Sequence, residues 1–222
     1  MKNISKNKKI NTKAGFTLIE LLITLVIFVT LTGVVLLNKN NFDNAELLHN
    51  FAYDVALTIR QAQSYAVNVQ ENSVGGFSSK YGVFFNTSDT GSNTNFIFFN
   101  DFNILGTSDG NHQYDIGNSE GSVTQCPTTS ECIQKYAIKN GLYISHMCVG
   151  IDESSCNQSN GTVDNMVVLF SRPSFTANIY VPHSITQPTP TPTYAKITLS
   201  SPSGASESVV ITGIGQVYVK KN

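Results

Sequence analysis

KAGFTLIELLITLVIF (residues 13–28) holds one acid, Glu20, a few residues into an otherwise unbroken apolar run. The run covers 16–37, 22 residues with Glu20 as its only charge. As a helix it rises roughly 33 Å, enough for a bilayer core of about 30 Å. The preceding MKNISKNKKINTKAG carries five lysines and no acid. Lysines just before an apolar span favour keeping that end in the cytoplasm. The pattern therefore predicts one insertion, with the C-terminal bulk outside the cytoplasm. A secretory signal would have a shorter apolar core followed by a small-residue cleavage site. Here the small pair Ala14-Gly15 precedes the run, and NKNNFDNAE after it has no A-x-A-like site. A plain anchor accounts for everything except Glu20, because an acid at mid-helix costs about 2.5–3.5 kcal/mol, and less near an end.

Lys13-Ala14-Gly15-Phe16-Thr17-Leu18-Ile19-Glu20 resembles the class III signal of type IV pilins and type II secretion pseudopilins. The resemblance implies that a prepilin peptidase cuts between Gly15 and Phe16, removing a leader of residues 1–15. The new Phe16 amine is then methylated, and Glu20 stays in the mature chain. It also implies a transmembrane and assembly helix over 16–37. The implied partners are the peptidase, other pilin or pseudopilin subunits, an inner-membrane assembly platform and the lipid bilayer. On this reading the carboxylate has a physical reason. Cleavage leaves a positive amine in a greasy environment, and an acid one helical turn along neutralises it, in the same chain or a neighbour. A charge that is costly alone in lipid becomes cheaper when helices bring opposite charges together.

Later segments carry a finer likeness. A helix ending in ALTIRQAQSYAV, then YGVFF, FIFFNDFN, Phe170 with Arg172-Pro173, and ITLSSPSGASESVVITGIGQVYV are similar to the minor pseudopilin H and FimT-type minor pilin group. The likeness covers most of 13–221, but Pro173 is followed by SFTA where that group has a glycine. The implied fold is α+β: a long N-terminal α-helix packed on an antiparallel β-sheet head. Three roles differ in class: a pseudopilin pushing folded proteins outward, a FimT-type pilin binding DNA for uptake, and a major pilin for adhesion or motility. In FimT-type proteins arginines near the C-terminal glycine contact DNA. Here GIGQVYVKKN places Gln216 and Tyr218 there and leaves Lys220 and Lys221.

Composition points the same way. The chain has 14 basic and 15 acidic side chains, so loss of the five leader lysines leaves 9 against 15, a charge of −6. An acidic mature chain argues against nucleic acid as an electrostatic partner. The 185 residues after Leu37 suffice for one domain. NKNN after Leu37 and Gly33 before it are soft points, and 38–72 reads as an amphipathic helix. Leu48, Phe51, Ala52, Val55, Ile59, Ala62 and Ala66 then form one apolar stripe on an amphipathic helix. Residues 73–222 read as a β-rich head. Its strand-like runs are 81–86, 95–100, 142–149, 165–171, 176–181, 195–200, 207–212 and 215–221, with turn residues between them. The Pro/Thr segment 182–194 reads as an extended exposed loop.

The four cysteines are Cys126, Cys132, Cys148 and Cys156, spaced C-x5-C, x15 and C-x7-C. Zinc sites prefer tighter knuckles. Outside the cytoplasm disulfides persist, and three pairings are open. Cys126 with Cys132 and Cys148 with Cys156 is preferred, because each closes a short Ser/Thr- or Gly-containing loop. No cofactor or catalytic motif appears. The histidines at 49, 112, 146 and 183 lack metal-ligand spacing, and G-x-S-x-G, Walker and G-x-G-x-x-G elements are missing. NDFNILGTSDGNHQYD (100–115) offers Asp101, Asn103, Asp109, Asn111 and Asp115 as oxygen ligands for calcium, with Gly110 at a turn. It departs from the EF-hand spacing, and Asx-rich turns give the same pattern.

Overall fold

The computed structural model describes residues 15–68, 80–88, 91–102, 112–114, 126, 131–158, 161–182 and 190–222, with backbone alone for 37–43. A helix, α1, runs Leu18–Val67. Its backbone continues through Gly33 and through 38–41, so neither soft point ends it. The chain divides at Phe42/Asp43 into two compact units. In the first, Leu18–Leu36 is long and apolar enough to cross a membrane, and none of it is buried within the protein. The Thr24, Thr30 and Thr32 hydroxyls donate to the carbonyls of Leu21, Ile27 and Phe28. Each of these three hydroxyls thus finds a partner on its own helix, as a lipid setting requires.

In the second unit α1 has one face in the core. Leu48, Ala52, Val55, Ala56, Ile59, Ala62 and Ala66 are all buried, at the three- and four-residue spacing of a helical stripe. The sheet elements are β1 (Lys80–Asn86), β2 (Asn95–Asn100), β3 (Cys132–Ala137), β4 (Tyr143–Gly150), β5 (Asn165–Ser171), β6 (Ala177–Tyr180), β7 (Tyr194–Ser200), β8 (Ser206–Thr212) and β9 (Val217–Lys221), with a short helix α2 (Glu153–Cys156) after β4. They form two sheets, ordered β3-β2-β1-β5-β6 and β4-β7-β8-β9. Every strand pairing is antiparallel. The architecture is α+β, and the described residues of the head form two sheets rather than one.

The sequence explains the two layers. Strands β1, β2 and β5 are apolar at successive positions, because both faces of the first sheet are buried. One face gives Tyr81, Val83, Phe85, Phe96, Phe98, Val168 and Phe170 to the main core with α1. The other gives Ile97, Phe99, Val167 and Leu169 to a second cluster, against which Tyr114 and Cys126 pack. Gly82 lies between Phe99 and Leu169 in register. A Cβ there would sit 2.7 Å from the Val168 carbonyl oxygen and 2.9 Å from a Leu169 methyl, so glycine allows the close approach. Strands β7 and β8 send Ala195, Ile197, Leu199, Val209 and Ile211 to the main core. Tyr194 and Val210 face the opposite side, where they cluster with Cys148 and Cys156.

Two disulfides fasten these outer layers, Cys126–Cys132 on the first sheet and Cys148–Cys156 between β4 and α2. α1 is tied to the second sheet by polar contacts. The buried Glu207 carboxylate meets His49 Nδ1 at 3.0 Å. Arg60 Nη2 donates to the Val217 carbonyl at 2.6 Å. Hydrogen bonds to charged groups contribute about 1.5–3 kcal/mol each when shielded. Strand β3 gave no strand signal in the sequence. CIQKYA is an edge strand, and its Lys135 and Gln134 are the polar residues with which natural sheets blunt an edge.

Candidate assembly site

The site begins where α1 begins. Gly15, Phe16 and Thr17 precede the helix, and Leu18 is its first residue. Thr17 occupies the N-cap. Its carbonyl accepts from the Leu21 N–H at 3.2 Å, and its hydroxyl oxygen accepts from the Glu20 N–H at 3.3 Å. That hydroxyl in turn donates to the Glu20 carboxylate at 3.4 Å. T-x-x-E is therefore a cap built from Thr17 and Glu20, which holds the acid in the first turn, where the helix dipole favours negative charge. Thr17 was not singled out in the sequence, although the three-residue spacing from threonine to glutamate is a recognisable helix-start signal. Phe16 is 78% exposed and lies one turn before the carboxylate.

The remaining residues singled out in the sequence have other surroundings. Asp101 is buried, and its carboxylate accepts from the His112 N–H at 3.2 Å. Its own N–H donates to the Lys80 carbonyl. It is a loop staple in the described structure, close enough to Tyr180 to add to the upward push that burial gives that phenol. Asn103, Asp109, Asn111 and Asp115 lie outside the described residues. Among the described residues, no group of three or more His, Cys, Asp or Glu side chains is placed to hold a metal. His49 pairs with Glu207, His112 stacks near Tyr180, and His146 is exposed on β4. His183 is not described.

The outer face of the second sheet carries most of the perturbed charges. Lys220 donates to the Glu153 carboxylate at 2.5 Å. That bond holds Glu153 below its ordinary pKa and Lys220 above it. Lys196 donates to the Asn157 side chain. Burial pushes the Tyr194 phenol up to about 12, with Glu153 and Tyr218 adding to it. Asp152 caps α2, and the Ser155 N–H holds its carboxyl below the usual range.

A family described as the prokaryotic N-terminal methylation motif matches residues 10–36, the stretch that includes Gly15, Phe16, Thr17 and Glu20. No curated protein and no solved structure matches the chain. The motif match supports a type IV pilin-like or pseudopilin subunit, a structural role rather than an enzymatic one. It implies processing by prepilin peptidase and assembly with other pilin subunits. With the apolar start of α1, it is consistent with a single-pass membrane-anchored protein.

Proposed function

We propose that this chain is a minor (pseudo)pilin subunit, cleaved between Gly15 and Phe16, methylated on Phe16 and assembled into a type II secretion pseudopilus or a type IV pilus. The observation that carries the reading is the first turn of α1, with one carboxylate held by Thr17 at the start of an exposed apolar helix. The head lies outside the cytoplasm, where its two disulfides are stable. Glu20 meets the Phe16 amine of the same or a neighbouring subunit and sets register during assembly. The DNA-uptake reading finds less support. Of the two C-terminal lysines, Lys220 is engaged by Glu153, and Gln216 and Tyr218 carry no positive charge.

N-terminal mass spectrometry of the chain from cells with and without prepilin peptidase tests the proposal. The expected product starts at a methylated Phe16 only when the peptidase is present. An intact leader, or a start beyond residue 37, would falsify it.

A further inference from the structure

Helix α1 begins just beyond the bond that processing must break. Gly15, Phe16 and Thr17 lie outside it, and Leu18 is its first residue. Gly15 and Phe16 are exposed, and nothing lies within 4 Å of the position a Gly15 Cβ would take. Among the described residues neither makes a backbone hydrogen bond. Little in the preceding sequence would halt the helix there. Lys13 and Ala14 are good helix formers, and Gly15 alone is a poor one. Thr17 halts it by competition. In a helix wound through Gly15, the Glu20 N–H would go to the Phe16 carbonyl and the Ile19 N–H to the Gly15 carbonyl, each four residues back. The Thr17 hydroxyl oxygen accepts from the Glu20 N–H instead. Its own proton goes to the Glu20 carboxylate, so the oxygen is left to accept.

Hydrolysis adds water across the Gly15–Phe16 peptide. The water oxygen joins the Gly15 carbonyl carbon, the carbon–nitrogen bond breaks, and the Phe16 nitrogen leaves as an amine carrying a proton. A peptidase grips exposed backbone whose hydrogen bonds are not already used. We propose that Thr17 is a positioning residue for this cleavage: its cap keeps the Gly15–Phe16 peptide out of α1 and so presents it to the peptidase. The role precedes the pairing of Glu20 with the Phe16 amine and is separate from it. The inference rests on the processing reading above and deepens it. Chains in which the helix has run through Phe16 must unwind before they bind. Apparent affinity then falls with the fraction that is already unwound, so loss of the cap acts on KM and leaves kcat alone.

The test uses the full-length chain reconstituted in liposomes with purified prepilin peptidase, and follows the unprocessed mass with time. Thr17→Val removes the hydroxyl and keeps the branched shape. It is expected to raise KM about fivefold with kcat unchanged, the population change that loss of an N-cap makes. Thr17→Ser and Thr17→Asn both cap a helix and are expected to keep the wild-type KM. A wild-type KM in the Val variant overturns the proposal. A lower kcat in the Val variant, or a poor Asn variant beside a good Ser one, also overturns it, because the peptidase then reads the hydroxyl itself. Carbon-13 shifts of the Gly15 and Phe16 α-carbons, measured on the full-length chain in detergent, report the conformation directly. They are expected to move toward helical values in the Val variant, and identical shifts in the two chains overturn the proposal as well. If the wild-type chain is cleaved and the Val variant is cleaved alike, the positioning role alone is removed. If the wild-type chain is not cleaved at all, the processing reading falls and this inference with it.

Discussion

Leu18–Leu36 and 48–66 lie on one helix and treat their apolar residues in opposite ways. In the first, Leu18, Ile19, Leu25 and Phe28 are all more than half exposed. In the second, Leu48, Ala52, Val55, Ile59, Ala62 and Ala66 are at most 1% exposed. The first is apolar around its whole circumference and the second along one stripe. A stripe is satisfied by a sheet on one side. A helix that is apolar all round needs surroundings on every side, and the described residues bury none of it. The burial of the second segment is internal to the protein, and that of the first is expected from lipid or from neighbouring helices. Helical propensity does not distinguish the two segments; what surrounds each helix does.

The largest expected break in this comparison comes at Glu20. Glu20→Ala makes the first segment more apolar, so insertion and cleavage at Gly15–Phe16 should proceed. If Glu20 pairs with the Phe16 amine as proposed, incorporation into sheared filaments, measured against the membrane pool, should fall more than about tenfold, because stranding one member of a buried ion pair costs about 3–5 kcal/mol. Glu20→Gln separates the cap contact seen in the structure from the proposed pairing with the Phe16 amine. Its side-chain oxygen still accepts from Thr17, preserving the cap, but it carries no charge. Incorporation of the Gln variant as poor as that of Ala assigns the effect to charge. Wild-type incorporation of the Gln variant would leave capping as the whole role.

A second, smaller contrast is between core and exposed apolar residues. Phe98→Ala removes a fully buried ring that touches Tyr65 and Tyr81 and should destabilise the head by about 3–5 kcal/mol. Leu25→Ala, on a side chain 57% exposed within the protein, should leave the unfolding midpoint of the head unchanged. Denaturant titration of the detergent-solubilised chain by near-ultraviolet circular dichroism reads both. A comparable loss in the two variants would mean that the segments are not energetically distinct.

Much of this contrast was legible in the sequence. The 22-residue apolar run, the lone acid and the stripe from Leu48 to Ala66 each rest on a strong periodic signal, and strands 95–100 and 165–171 fall where their runs predict. Four features were hidden, each for a physical reason. Division of the head into two sheets depends on pairing between β1 and β5, about eighty residues apart, which no local pattern records. Strand β3 is an edge strand whose run is broken by Gln134 and Lys135, so it lacks the continuous apolar signal of β2 and β5. Thr17 reads as part of the run because it is uncharged and sits between Phe16 and Leu18, and only the bond to the Glu20 N–H marks it as the cap. The polar ties of α1, His49 to Glu207 and Arg60 to Val217, bridge residues more than 150 apart and were equally out of reach.

The smallest expected effect sharpens the comparison within the head, between a cover held by chemistry and one held by charge. Helix α2 is fastened by the Cys148–Cys156 bond, which does not titrate, and by the Asp152 cap, which does. The Ser155 N–H and hydroxyl hold the Asp152 carboxyl below its ordinary value of 3.8. A depressed carboxyl contributes its stabilisation fully above the unfolded value and loses it as pH falls through the lower folded value. The cap should therefore be intact at neutral pH and weaken only below pH 3.8. Because the group is exposed, the loss should be local, opening α2 without unfolding the sheets. Hydrogen exchange of the Ser155 amide, expressed as protection relative to its intrinsic rate, should decline below that pH while the amides of β7 and β8 keep theirs. Asp152→Asn keeps a good N-cap without the titration, so its Ser155 protection should be flat across the same range. If the wild-type amide is as protected at pH 2 as at pH 7, the disulfide alone holds the cover and the aspartate contributes nothing that can be measured.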